Sequence, residues 1–250
     1  MIKNKFKYTG FTLAEVLIVI GIIGIVAELT IPTLLQNYRI SVTETRLMTA
    51  YSILNNMIKL SANDNGNPDT WDIQNTGYDV NAFFNTYFMP YIKFNGKKFE
   101  DDATSFTAYD ISGNYEYMDN TRTSKVYYMA NGTGLAFIQG ATIGRTRRRG
   151  SFFILTDPDA SKKVIGKNVF QFNLIVDPNL YSVTAGQDYP DPTTFSCSII
   201  ESNPTVHAQT IAKCKNSTMD TPFSGLSQIT CTALIECNSW KIPTDYPIRF

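Results

Sequence analysis

Two carboxylates sit in the most apolar stretch of the chain. From Tyr8 to Tyr38 the sequence YTGFTLAEVLIVIGIIGIVAELTIPTLLQNY is almost unbroken hydrocarbon, with Glu15 near its start and Glu28 near its end. An ionised acid at the centre of a membrane helix costs at least ~2.5 kcal/mol, so Glu15 needs a cation. Cutting the bond between Gly10 and Phe11 makes one. It removes the basic head Lys3, Lys5 and Lys7 and leaves an α-amino group on Phe11, four residues from Glu15. The pair can close within one helix or between neighbouring helices, and in the second case assembly is what satisfies the buried charge. The chemistry is processing and polymerisation, done to the chain and not by it. Glu28, about 20 Å further along a helix, reads as an acid reaching water at the outer interface, with a second intersubunit contact as the sharper alternative.

Other chemistry-bearing residues lie in the rest of the chain. The four cysteines, Cys197, Cys214, Cys231 and Cys237, all fall in its last quarter, an even, clustered set that reads as disulfides in an oxidising compartment. Their spacings contain no CxxC, which argues against zinc. Arg145, Arg147, Arg148 and Arg149 form a basic cluster that reads as a solvated turn. Without interleaved aromatics it does not call for a nucleic-acid partner. Asp157 and Asp159 in DPDAS are a weak calcium candidate, because Lys162 and Asn168 stand where a calcium loop needs glycine and glutamate. His207, the single histidine, reads as a surface-loop residue. No glycine-rich phosphate cradle and no HExxH motif is present, so the reading is of a non-enzyme with no cofactor.

These residues need elements to hold them. Phe11 to Leu35 would run about 37 Å as a helix, enough for a bilayer core of about 30 Å, and its basic end would stay inside. Pro32 predicts a kink or local melting. The pattern then resumes, with Leu47, Ala50, Tyr51, Leu54, Met57 and Ile58 on one stripe and Arg39, Thr43, Glu44 and Lys59 off it, up to a stop at NDNGNP. The whole helix would be about 80 Å long. Beyond it, residues 79–91 read as a short amphipathic helix interrupted at Pro90. KVYYMANGTGLAFIQG reads as a hairpin about Asn131 and Gly132, and SFFILT and NVFQFNLIVD as strands. Residues 178–226, rich in Pro, Ser, Thr and Asn, read as long loops. If residues 227–239 are helical, Cys231 and Cys237 stand about 9 Å apart along the axis, beyond the ~7 Å reach of a disulfide. Two connectivities remain. The expected class is α+β, with the helix laid on an antiparallel sheet. Lysine plus arginine equals aspartate plus glutamate at 22 each, so no global field selects a partner.

The stretch GFTLAEVLIVIGIIGIVAELTIP resembles the N-terminus of the type IV prepilin and type II secretion pseudopilin superfamily. The resemblance implies a leader of residues 1–10, a membrane and filament-core helix at 11–35, its amphipathic continuation at 36–65 and an extracytoplasmic head at 66–250. It implies cleavage after Gly10 and N-methylation of Phe11 by a prepilin peptidase, a registering role for Glu15 and a helix kink at Pro32. It also implies an inner-membrane assembly platform and other pilin subunits as partners. The terminal WKIP and DYP are similar to the close of small pseudopilins, and this resemblance favours Cys214 with Cys231 and Cys197 with Cys237. It also favours a minor type II secretion pseudopilin over a type IV or competence pilus subunit. The rival reading is a secreted binding protein cut by a signal peptidase near Ala27.

Overall fold

The computed structural model describes residues 10, 12–71, 79–98, 107–111, 113, 115–117, 125–139, 148–177, 180–184, 197–215 and 226–250. The chain divides into two compact units, Met1–Ser41 and Val42–Phe250. Helix α1, Leu13–Asn65, belongs to both. It is helical through Pro32, so the local melting expected there does not occur. It stops where the sequence says it should: Gly66 takes a left-handed φ of +77°, a conformation glycine adopts without strain, and its carbonyl accepts the indole N–H of Trp71 at 3.0 Å.

Within the larger unit α1 is held by packing. Thr43, Thr45, Thr49, Ser52, Asn55 and Asn56 are mediocre helix formers, at about 0.5 kcal/mol each against alanine. Leu47, Leu54, Met57 and Ile58 are essentially fully buried, and at about 2 kcal/mol or more apiece they outweigh that cost. They share one apolar core with the sheet and with helix α2, Val80–Tyr87, whose first N–H groups are capped by Asp79 Oδ1, 2.8 Å from Asn81 N. Phe83, Phe84 and Phe88 interlock edge-on and stacked with Phe137 and Phe152, with centroids 5.0–5.7 Å apart.

The sheet beneath has six antiparallel strands, drawn from β1 (Phe94–Lys98), β4 (Tyr127–Met129), β5 (Gly134–Gln139), β6 (Arg148–Leu155), β7 (Val169–Asp177) and β8 (Leu180–Thr184) in that spatial order. A separate hairpin pairs β2 (Thr107–Tyr109) with β3 (Tyr115–Tyr117). Strict alternation sends Phe152, Ile154, Phe170, Phe172 and Leu174 to the helical face. Phe153, Leu155 and Val169 go to a second apolar cluster with Ala108 and Val126. The architecture is α+β and pilin-like.

Residues 178–226 correct the expectation of long loops. They contain β8, helix α3 (Cys197–Ser202) and helix α4 (Pro204–Lys215), and α5 (Leu226–Cys237) follows. Pairing of β8 with β7 begins only at Asn173. Before that point the Gln171 N–H finds the Thr232 hydroxyl of α5 at 3.1 Å, so a helix side chain completes the strand edge.

Two glycines have different substitution costs. At Gly166, φ is +77° and a Cβ would lie 2.5 Å from Ile248 Cδ1 and 2.7 Å from Cys231 Sγ. At Gly132, φ is +81° but the nearest atom would be Arg46 Nη2 at 3.9 Å. Gly132→Ala therefore adds backbone strain alone, about 1 kcal/mol, whereas Gly166→Ala adds overpacking and costs about 3 kcal/mol. Urea unfolding of the two variants should show this order, and equal costs would contradict the tight packing at Gly166.

Candidate functional site at the amino terminus

The first turn of α1 is built by Thr12 and Glu15. Glu15 Oε2 accepts the Thr12 backbone N–H at 2.8 Å and the Thr12 hydroxyl at 2.9 Å, while Thr12 Oγ1 accepts the Glu15 N–H at 3.2 Å. This is a reciprocal capping box, Thr-x-x-Glu, satisfying donors that a helix start otherwise leaves open. Its signature was present in the sequence beside the charge that drew attention to Glu15. Both residues lie C-terminal to the Gly10–Phe11 bond, so cleavage at that bond would leave the box intact. Among the described residues Glu15 Oε1 makes no hydrogen bond, which leaves one carboxylate oxygen for a second donor. Gly10 is exposed, and Phe11 lies outside the described residues.

From Leu13 to Leu35 the helix is apolar on every side, with Leu13 80% and Leu29 73% exposed. A helix hydrophobic all round is one to be buried by lipid or by other helices. Among the described residues α1 is the one helix long and apolar enough to cross a membrane. Glu28 is exposed on it. The Thr30 hydroxyl bonds the Val26 carbonyl at 2.9 Å, and Pro32, lacking an N–H, cannot donate to the Glu28 carbonyl.

Within the larger unit, Glu44 of α1 corrects its reading as a residue off the packed stripe. It is buried, accepting the Ile242 N–H at 2.9 Å and the Lys241 ammonium at 2.8 Å. The chain reaches it through Ser239 and Trp240, both left-handed at φ 55° and 65°. The Trp240 ring then packs on Tyr51 at 4.7 Å and Phe172 at 6.1 Å. Further on, the Tyr246 hydroxyl donates to the Gly166 carbonyl at 2.7 Å, and burial pushes its phenol well above the usual tyrosine range. Lys241 is mostly exposed, so its ion pair is worth little. The bond from the Ile242 amide to a carboxylate is worth about 1.5–3 kcal/mol. Glu44→Gln, which keeps an acceptor, should therefore cost under about 1 kcal/mol, and Glu44→Ala about 2. Equal losses in thermal unfolding would show that the charge, not the acceptor, matters.

The remaining residues disperse. The cysteines form Cys197–Cys237 and Cys214–Cys231 bonds. Asp157 and Asp159 face Lys163, whose ammonium is drawn down by burial and held up by those two acids. Asp159 Oδ1 also accepts the Tyr128 hydroxyl at 2.7 Å. No group of three or more His, Cys, Asp or Glu able to hold a metal occurs among the described residues. His207 is not in a loop. It lies in α4, its Nε2 2.8 Å from Asp245 Oδ2, because Asn203 caps the helix through the Thr205 N–H at 3.0 Å and Pro204 opens it. Arg145 and Arg147 lie outside the described residues, and Arg148 and Arg149 belong to β6.

Residues 33–250 match a family of unknown function (DUF6613). The chain belongs to that family. Residues 5–27 of this DUF6613 member match the prokaryotic N-terminal methylation motif, which places it in the type IV prepilin-like superfamily. The matched segment contains Gly10, Phe11, Thr12 and Glu15. No curated protein and no solved structure matches the chain. The DUF6613 protein is thus a type IV pilin-like or pseudopilin-like subunit. Its motif implies processing by a prepilin peptidase and assembly with other pilins, and its apolar helix is consistent with anchoring in the inner membrane. Neither match is to a known enzyme family.

Proposed function

We propose that this chain is a minor subunit of a type II secretion pseudopilus. It enters the cytoplasmic membrane through residues 11–35, is cut between Gly10 and Phe11, and is drawn by an inner-membrane platform into an extracytoplasmic filament. The methylation motif over residues 5–27 supports the filament-subunit part of this reading. Residues 1–10 are the leader, 36–65 continue the helix, and 66–250 form the head outside, where an oxidising compartment keeps two disulfides closed. Phe11 supplies the amine, Glu15 the counter-charge and Pro32 the place where the helix bends in the fibre. The WKIP ending favours the secretion role, and a type IV or competence pilus subunit is the second reading.

Mass analysis of the mature N-terminus tests the processing step. Methylated Phe11 is expected, and a chain beginning at Glu28 would overturn it in favour of a secreted binding protein. Deleting the gene then separates the two filament readings. A secretion subunit loses protein export with pili unchanged, whereas loss of surface pili or DNA uptake with normal export would assign the chain to a pilus.

A further inference from the structure

The head contains a cleft that the filament reading does not use. About 690 Å³ opens between α3, α4, the end of α5 and the segment that follows it. Its floor is apolar, from Ile200, Leu234 and Ile242, and its rim carries Glu201 on α3 and Asp245 on the C-terminal segment. No lysine or arginine is among the described residues lining it, and the single histidine, His207, is already matched with Asp245 at 2.8 Å. The rim therefore offers two carboxylates and no ammonium or guanidinium group above a hydrocarbon floor, with Asp245 oriented by His207.

Both disulfides are spent on the walls of this cleft. Cys197–Cys237 ties α3 to α5, and Cys214–Cys231 ties α4 to α5. A site whose walls are covalently fixed loses little order when a ligand enters, so more of the contact energy appears as affinity. The volume lies within the range of ligand sites and admits roughly three or four residues of an extended peptide.

We propose that this cleft binds a basic peptide segment of a partner protein. An arginine would place its guanidinium between the Glu201 and Asp245 carboxylates, with neighbouring apolar side chains on Ile200, Leu234 and Ile242. Arginine suits such a site because its planar fork meets a carboxylate with two parallel hydrogen bonds. The assignment does not depend on the filament reading, since it concerns the Val42–Phe250 unit alone.

The test uses the full oxidised chain in a neutral detergent and three labelled peptides: acetyl-Leu-Arg-Leu-Arg-amide and its glutamine and glutamate counterparts. Because the chain has one histidine, the ring signals of His207 in a proton–carbon spectrum report on this cleft and nothing else. The arginine peptide should shift those signals and bind at least about tenfold tighter than the glutamine peptide, and the glutamate peptide should leave them unmoved. Glu201→Gln and Asp245→Asn should each weaken arginine-peptide binding about tenfold, with unfolding midpoints near that of the parent chain because both side chains are exposed. Three peptides binding alike would show an apolar groove without charge selection and overturn the proposal. So would His207 signals that stay fixed at saturation, or that move on raising protein concentration without peptide, which would assign the cleft to a second copy of the chain.

Discussion

Glu15→Gln should be cut and methylated like the parent chain and yet fail to enter filaments. Glutamine at this position still accepts the Thr12 N–H, so the capping box with Thr12 survives, and the helix start loses little. What disappears is the charge. In the assembled fibre the Phe11 ammonium of a neighbour would then be buried without its counter-ion, a state costing about 3–5 kcal/mol. At 1.4 kcal/mol per factor of ten, that is a fall of about two to three and a half orders of magnitude in the affinity of each subunit for the growing end. Glu15→Ala removes both charge and cap, and adds only about 1 kcal/mol to the deficit. Thr12→Ala is the complementary variant: it weakens the cap and keeps the charge, so its filament yield should fall far less. Sheared-filament yield measured against total mature subunit decides the matter. A glutamine variant assembling at the parental level would show that capping alone is what Glu15 provides.

The same residue shows why some of the site could be read in advance and some could not. The spacing of Phe11 and Glu15 is local, and so is the Thr-x-x-Glu pattern, so both were open to inspection in a single turn of helix. The stripe from Leu47 to Ile58 and the alternation in NVFQFNLIVD were legible for the same reason: one face is buried and the period is kept. Glu44 was not legible. It reads as one more polar residue off the stripe until the chain returns 198 residues later and lays the Ile242 amide against it.

Composition misled in residues 178–226. Their Pro, Ser, Thr and Asn content looks like loop, but two of those residues are punctuation for a helix, Asn203 as the cap and Pro204 as the first helical position. The amphipathic signal of α4 is weak because only Thr210 and Cys214 are buried. Val206 and Ile211 pack against the core only in part, so the periodic signal is faint and the Cys214–Cys231 bond adds to what holds the helix in place.

That dependence leads to the second large effect. The two bonds are nested, Cys214–Cys231 spanning 17 residues inside the 40 of Cys197–Cys237. Closing a 17-residue loop removes about 3 kcal/mol of unfolded-state freedom, and closing 40 about 4, but once the inner bond exists the outer loop shrinks to about two dozen residues and its share falls to about 3.5. Burial acts the other way, since Cys214 and Cys231 are almost wholly enclosed and losing both sulfur atoms leaves a void worth about 1 kcal/mol. Replacing either pair with alanine should therefore cost a similar 3–4 kcal/mol. Replacing both should cost about 7, a large fraction of the 5–15 kcal/mol that holds a typical domain together. Urea unfolding of the full chain, oxidised and with each pair removed, measures this. Single-pair variants should stay folded with markedly lower midpoints, and the four-alanine chain should lose the α3–α4–α5 region first. A four-alanine chain unfolding at the parental midpoint would show that apolar packing alone holds α4, against the sparse burial of that helix.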